Sequence, residues 1–369
     1  MGGNLTGGGL QTEPKTIAIF RLGHLGDTIV AMPAFWTVRK RFPSARILYL
    51  TQEHQVGKRV QSSDVLREGT VYDEIISYTL GAGGVSKLQV ARTLLALRRQ
   101  RIDMLVYLPP YRTPAQLDRD ARFFRLAGIK RIVGMQGYRD TDYRPKGSPL
   151  PTVRREADIL LSHLAKDGIE IDEKPSDLKH LGLSDAERDF ARRWLCERQI
   201  DPARPIVGMG PGSKMLPKLW PIDRFVEVAQ GLDRVWSPTF IVFGGPAERA
   251  VCQTVCDGVT RAYNVAGDLT VRQSAAIFEH CHLYLGNDTG TMHIASSAGV
   301  RCVALFSARD WPGRWFPYGD GHFCHRVVTP CEGCMLETCD KNNRCLTEIG
   351  VPKVLASAEK VLSERFLSA

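Results

Sequence analysis

The chain has 369 residues, of which 43% are apolar and 24% charged. These are ordinary globular values, so disorder is not the default. No apolar run approaches the roughly 18–20 residues of a membrane span, and no charged-then-apolar leader opens the sequence, so a soluble cytoplasmic protein of two domains is expected. The net charge of +9 is unevenly placed: residues 1–180 carry 28 Lys and Arg against 19 Asp and Glu, whereas residues 181–369 carry 21 against 21. A basic half beside a neutral half suits a large anionic partner, nucleic acid or an anionic lipid surface; a merely soluble basic surface is the plainer alternative.

Residues 1–14 are Gly-rich and read as a tail, in which Met1-Gly2 with Thr6 and the sequon Asn4-Leu5-Thr6 read as chance matches to modification patterns. Thr16 to Arg21 reads as a buried strand entering the turn Leu22-Gly23-His24-Leu25-Gly26-Asp27, with a helix expected over Thr28 to Arg41 and a second strand over Arg46 to Leu50. This is a Rossmann-type half without a G-x-G-x-x-G turn, which argues against a dinucleotide. A helix is expected over Lys87 to Arg99, a strand over Met104 to Leu108, a helix over Pro114 to Leu126 and a strand over Arg131 to Gly134. Residues 136–152 read as a loop near a mouth, and Arg155 to Lys166 as a helix.

Around residues 171–183 the pattern breaks into a linker and then restarts. Strands are expected over Pro205 to Met209 and Thr239 to Phe243, with helices over Pro221 to Val235, Pro246 to Cys256 and Val271 to His280. A strand from His282 to Leu285, a turn from Gly286 to Gly290 and a helix from Thr291 follow. Val303 to Phe306 is expected to close the sheet, and Val351 to Leu367 to form a last amphipathic helix. Two successive βα series predict an α/β protein with two doubly wound Rossmann-like domains facing a cleft, over 15–172 and 183–348, with a helix over 350–369.

Strand, polar turn and helix in that order present free N–H groups at the carboxyl edge of a sheet, where open α/β folds hold phosphorylated ligands. Asp288-Thr289-Gly290 lies on such a turn, with His293 one turn into the helix; a capped helix with a structural histidine fits as well. Gly210-Pro211-Gly212-Ser213-Lys214 follows the first strand of the second half, and Lys214 or Lys218 could meet an anionic group there. Gly244-Gly245 followed by Glu248 suits a ribose or base, or Glu248 simply favours the helix dipole. Three loops on one edge point to a nucleoside-diphosphate site, and the missing G-x-x-x-x-G-K-[ST] excludes a P-loop enzyme. Asp27, beside His24 and after Arg21, is a candidate general base and equally a candidate N-cap. Cys331, Cys334, Cys339 and Cys345, spaced C-x2-C-x4-C-x5-C, suit a closed structural Zn or Fe site, with free thiols as the alternative.

Taken together these blocks resemble glycosyltransferase family 9, the ADP-heptose:lipopolysaccharide heptosyltransferases of GT-B architecture. The resemblance rests on Arg21-Leu22-Gly23-His24-Leu25-Gly26-Asp27-Thr28-Ile29 with Met32-Pro33-Ala34, and on Gly210-Pro211-Gly212-Ser213 with Lys218-Leu219-Trp220-Pro221. It rests equally on Gly286-Asn287-Asp288-Thr289-Gly290-Thr291-Met292-His293-Ile294-Ala295, and on the cysteine cluster running into Leu346-Thr347-Glu348-Ile349. It implies an inverting transfer that needs no metal cofactor. Asp27 would be the base and Lys218 the partner of the leaving diphosphate. Gly212, Ser213, Thr289 and Gly290 would lie at the phosphates, Glu248 at the nucleoside, and Asp288 and His293 in the diphosphate–sugar pocket. The donor would be ADP-heptose. The acceptor would be an anionic lipopolysaccharide-core-type glycolipid, met by Arg21, His24, Tyr111 and Arg112 and by the Arg119, Arg122, Arg125 helix, with peripheral association at the inner membrane.

Three competing readings follow in order: the same fold with another nucleotide sugar or a protein acceptor, a nucleotide-sugar epimerase, and a non-catalytic binder of anionic surfaces. Nucleic acid is not expected as a partner, because that reading leaves the phosphate-edge loops unexplained.

Overall fold

The computed structural model describes residues 13–54, 62–80, 87–140, 149–171, 177 and 180–366. The Gly-rich stretch 1–12, with both modification-like patterns, lies outside them, as do parts of the expected mouth loop and linker; residues 136–140 of that loop are instead helical, within Met135–Asp140. Among the described residues no helix is long and apolar enough to cross a membrane.

The first half runs β1 (Thr16–Phe20), α1 (Leu25–Val30), α2 (Met32–Arg41), β2 (Arg46–His54), α3 (Ser62–Val65), β3 (Glu74–Leu80) and α4 (Lys87–Arg99). It continues through β4 (Met104–Tyr107), α5 (Pro114–Leu126), β5 (Arg131–Val133), α6 (Met135–Asp140) and α7 (Glu156–Lys166). The strands form one parallel sheet in the order β3-β2-β1-β4-β5. β1 and β4 are central and buried on both faces, which is why they read as unbroken apolar runs. α5 starts where Thr113 and Gln116 cap each other, the Thr113 N–H donating to Gln116 Oε1 at 2.9 Å, with Pro114 at the first helical position. The helix expected over Thr28 to Arg41 is two helices, broken at Ala31. Pro33 has no N–H and fills the first turn of the second helix, so the first stops short of it.

The second half runs α8 (Asp185–Glu197), β6 (Ile206–Gly210), α9 (Ile222–Trp236), β7 (Thr239–Val242), α10 (Arg249–Asp257), β8 (Ala262–Asn264) and α11 (Val271–Phe278). Then come β9 (Leu283–Asn287), α12 (Gly290–Ser297), β10 (Cys302–Phe306), β11 (Phe323–Arg326), α13 (Arg344–Thr347) and α14 (Val351–Phe366). Its parallel sheet has the order β11-β10-β9-β6-β7-β8. β10 therefore does not close the sheet. β11 does, a short partly exposed strand with no apolar run to betray it. α8 escaped the pattern for a similar reason: only Ala191 and Trp194 of its thirteen residues are buried.

Two apolar clusters hold the molecule. One fills the far face of the second sheet beneath α9, α10 and α14, and includes Phe225, Phe240, Val242, Val354 and Leu362. The other fills the first domain and continues across the domain boundary into Phe278, Tyr284, Met292 and Ala295. Each large aliphatic or phenyl side chain among these contributes about 2 kcal/mol on burial. Between the domains, α1 packs on α12 and α3 on α11.

A buried polar tie reinforces this boundary. Arg21, at the end of β1, is fully buried and donates through Nη1 to the Leu108 carbonyl at 2.7 Å and through Nε to the Asp27 carbonyl at 3.0 Å. Its Nη1 lies 3.8 Å from Glu156 Oε1, and Glu156 Oε2 accepts from Nε of Arg314, in the second domain, at 3.2 Å. Backbone bonds from Glu156 N–H to Arg314 and from Val153 N–H to Pro312, both 2.8 Å, run alongside. Glu156→Ala would leave two guanidinium groups buried around a lost carboxylate, so denaturant unfolding is expected to show a loss of about 3–5 kcal/mol. A loss below about 1 kcal/mol would show that the arginines do not depend on it.

Candidate functional site

At the end of β1 the chain turns through Gly23, whose φ of +127° and lack of a side chain are both required. A Cβ there would stand 2.4 Å from Asp27 Cβ. The turn brings His24 to the N-cap of α1 and Asp27 to its third position. The Asp27 carboxylate reaches back, Oδ2 accepting from the His24 N–H at 2.9 Å. Asp27 is thus inside the helix and not the N-cap of a helix starting at Thr28. Its Oδ1 lies 3.8 Å from Arg21 Nη2, and 22% of the side chain remains exposed.

The second sheet supplies the opposite wall. Asn287, fully buried at the end of β9, accepts from the Trp220 N–H at 3.1 Å and donates to the Pro211 carbonyl at 2.8 Å. These two bonds fasten the whole loop after β6 beside the start of α12. Lys218, at the end of the 3-10 turn Leu216–Lys218, is held by Asp288, Nζ to Oδ2 2.6 Å. Lys214 is exposed, so of the two lysines Lys218 is the one built into the site. Ser213 Oγ accepts from the Met215 N–H at 3.1 Å and shapes the same turn. Glu248 Oε2 accepts from the Gly245 N–H at 2.6 Å, and its carboxyl lies against Gly212, where a Cβ would be 2.6 Å from Glu248 Cδ. Gly212 and Glu248 therefore share one wall.

α12 carries Thr289 at its N-cap and Gly290 as its first residue. Gly290 is pressed against Leu25 of α1, so that a Cβ would fall 2.5 Å from Leu25 Cδ2. One turn further, His293 Cδ2 comes within 3.2 Å of where a Cβ on Gly26 would stand. Burial pushes the His293 imidazole down to about 4; Asp288 and Asp27 pull it back while Lys218 adds to the depression. At neutral pH it is uncharged, with one ring nitrogen to donate and one to accept. Asp27 from one domain and Asp288, Lys218 and His293 from the other thus occupy one electrostatic neighbourhood.

The residues expected at an acceptor divide. Tyr111 and Arg112 follow β4, on the same edge as Asp27 because Arg21 ties the ends of β1 and β4. Asp120 orients this loop, accepting from Tyr107 Oη at 2.7 Å and lying 3.5 Å from Arg112 Nε. His24 is exposed beside Asp27. Arg21 does not belong with them: fully buried and committed to two carbonyls, it is a strut for the site and not an acceptor contact. Asn287, Glu156 and Arg314 carry weight that sequence reasoning did not assign. Asn287 sat inside a quoted motif, whereas Glu156 and Arg314 become partners only when residues 158 positions apart meet.

The four clustered cysteines line one pocket together with Pro217, Ser307, Arg309 and Thr329, directly behind the turn that carries Lys218. Asn343, in the same loop, donates to the Leu216 carbonyl at 2.8 Å. Burial raises the Cys345 thiol, and Cys331, Cys339 and Cys334 add to that rise. All four are free thiols, and among the described residues no three His, Cys, Asp or Glu side chains are grouped so as to hold a metal ion.

His293 has an acid-range consequence. Its folded pKa of about 4 lies below the ordinary 6.5, so between these values the unfolded chain binds more protons and stability falls as pH is lowered. His293→Gln is expected to lose less thermal stability than the wild type between neutral pH and pH about 4.5, by up to about 3 kcal/mol. Parallel curves for the two proteins would overturn this.

The sequence profile of the family described as glycosyltransferase family 9 (heptosyltransferase) matches residues 120–344, more than half of the chain. The chain is 22% identical to lipopolysaccharide heptosyltransferase 3 of Escherichia coli K12, over 93% of its own length and 97% of that protein's. It is 25% identical to lipooligosaccharide heptosyltransferase 2 of Campylobacter jejuni over 44% of its length, a match that spans about half, 53%, of that relative. Its fold is that of the family 9 glycosyl transferase of Veillonella parvula, with a TM-score of 0.73 and 22% identity, covering 95% and 98% of the two chains. It also superposes on E. coli ADP-heptose lps heptosyltransferase II with a TM-score of 0.64 and 19% identity, covering 95% and 99%. With two Rossmann-like domains and their facing edges in place, the chain belongs to glycosyltransferase family 9 and is a glycosyltransferase.

Proposed function

We propose that the protein transfers a heptose from ADP-heptose to a hydroxyl of an anionic lipopolysaccharide-core acceptor, with inversion at the anomeric carbon. The observation that carries the reading is the meeting of the N-terminal ends of α1 and α12, which sets Asp27 in the same small space as Asp288, Lys218 and His293. The names of the E. coli relatives support the substrates.

In this reading Asp27 takes the proton of the acceptor hydroxyl as its oxygen attacks the anomeric carbon, and the bond to the diphosphate breaks on the opposite face. Negative charge then grows on the departing ADP. The Lys218 ammonium has three donors, of which Asp288 takes one, leaving others for phosphate oxygens. The first N–H groups of α12 add backbone donors toward the same charge. Neutral His293 can hydrogen-bond the sugar or a phosphate without adding charge, and Glu248 faces the nucleoside. Tyr111, Arg112 and His24 receive the acceptor. No metal enters any of these steps.

The cysteine loop belongs to the same reading as a support for Lys218. As placed, the four thiols share a pocket but are not grouped around a metal ion; we propose that the loop draws them together on a Zn or Fe ion when one is available, since four thiolates suit a closed structural site. Metal analysis of protein purified without chelator is expected to find one equivalent, absent from a Cys331→Ser, Cys334→Ser variant. Metal-free wild-type protein would refute it.

Calorimetry with ADP, UDP, GDP and NAD is expected to show selective binding of ADP, followed by turnover of ADP-heptose only with acceptor present. UDP or GDP selectivity would change the sugar, and turnover without acceptor would refute transfer. Asp27→Asn is expected to lower kcat on the order of 10³-fold while leaving ADP affinity unchanged. Lys218→Ala should weaken ADP binding and slow transfer roughly 10²-fold. Wild-type turnover in either variant would remove that residue from the mechanism.

A further inference from the structure

α4 presents an unusual outward face. At 100° per residue, Leu88, Ala91 and Leu95 fall on one stripe, bordered by Arg92 and Arg99 on one side and by Lys87 and Arg98 on the other. All seven are exposed, Leu88 by 61% and Leu95 by 52%, whereas Leu97 on the opposite side is fully buried and Leu94 packs on the core. A surface helix of a globular protein ordinarily turns polar residues outward. This one turns leucines outward, frames them with cations and carries no acidic residue.

The patch continues onto α5. Arg98 Nε donates to the Leu126 carbonyl at 2.9 Å, and Leu126 itself is 60% exposed. Arg122, Arg125 and Lys130 are exposed beside it. Of α5's two acidic residues, Asp120 is buried and Asp118 pairs with Arg139 at 2.5 Å. Of the nine large apolar side chains exposed among the described residues, three (Leu88, Leu95 and Leu126) lie on this patch; Val90 of α4 is exposed on the side of Leu97. The basic excess of residues 1–180 thus has an address with leucines at its centre.

We propose that the α4–α5 face docks on an anionic lipid bilayer, with Leu88, Leu95 and Leu126 entering the headgroup–acyl boundary and the flanking Lys and Arg meeting lipid phosphates. An apolar stripe framed by cations, lying flat, is the pattern that binds such an interface, and each cation near an anionic surface strengthens the attraction. α5 begins just after Tyr111 and Arg112, so a bilayer on this face lies alongside the edge that carries Asp27. The benefit to a lipid-borne acceptor rests on the transfer proposed above, but the docking itself does not.

The test uses the full chain and vesicles without any glycolipid, of phosphatidylcholine alone or with abundant phosphatidylglycerol. Co-sedimentation is expected with the anionic vesicles and to weaken as salt rises. Leu88→Glu with Leu95→Glu, and separately Arg92→Glu with Arg99→Glu, should each lower partitioning on the order of ten-fold. Val235→Glu, at an exposed position on α9, should leave it unchanged. Failure of the wild type to bind, or an equal loss with Val235→Glu, would overturn the proposal. So would lipid-free self-association abolished by the Leu88, Leu95 pair, which would make the face an interface between copies. Retained ADP binding in each variant shows a folded protein, and its absence in the wild type would count against the transfer reading alone.

Discussion

The structure depends on the close approach of two helix starts, one from each domain. Leu25 presses on Gly290 so closely that a Cβ there would displace the Leu25 side chain, and a Cβ on Gly26 would stand only 3.2 Å from the His293 ring. Because α1 begins at the edge of the first sheet and α12 at the edge of the second, this contact decides where the two edges face each other. It is also why Asp27 and Lys218, 191 positions apart in the chain, belong to one site.

What surrounds that contact holds it rigid with buried polar bonds as well as apolar packing. Arg21 ties β1 to β4 and to the backbone of Asp27, Glu156 joins Arg21 to Arg314 across the boundary, and Asn287 pins the loop after β6. Buried groups of this kind cost several kcal/mol when left without partners. They therefore favour one relative placement of the domains over its neighbours. The cysteine loop, packed behind the Leu216–Lys218 turn, extends the same logic to the lysine.

Much of this was legible beforehand. Strands buried on both faces, such as β1, β4, β6 and β9, announce themselves as apolar runs between glycine turns. α5 and α9 announce themselves through Pro near their starts and strong apolar periodicity. Apart from the short helices α3, α6 and α13, the elements that escaped were those with little to bury. β3 and β11 are edge strands, β8 has three half-buried residues, and α8 faces solvent on most of its length. The break at Ala31 was readable in principle from Pro33, but the apolar stripe of Ile29, Met32 and Phe35 runs across it. Local pattern reports burial, and where burial is slight there is no pattern to report.

The sequence by itself determined the two βα series, the polar turns at the strand ends and the candidacy of Asp27, Asp288, Lys218 and His293, because those follow from local periodicity and from residue types at strand ends. It left Lys214 and Lys218 undecided, counted Arg21 among the acceptor contacts and gave Glu156 and Arg314 no part. Only the tertiary structure decided these, since each depends on which distant group stands within about 4 Å, and at that range a charge is either paired, buried as a strut or free to meet a ligand.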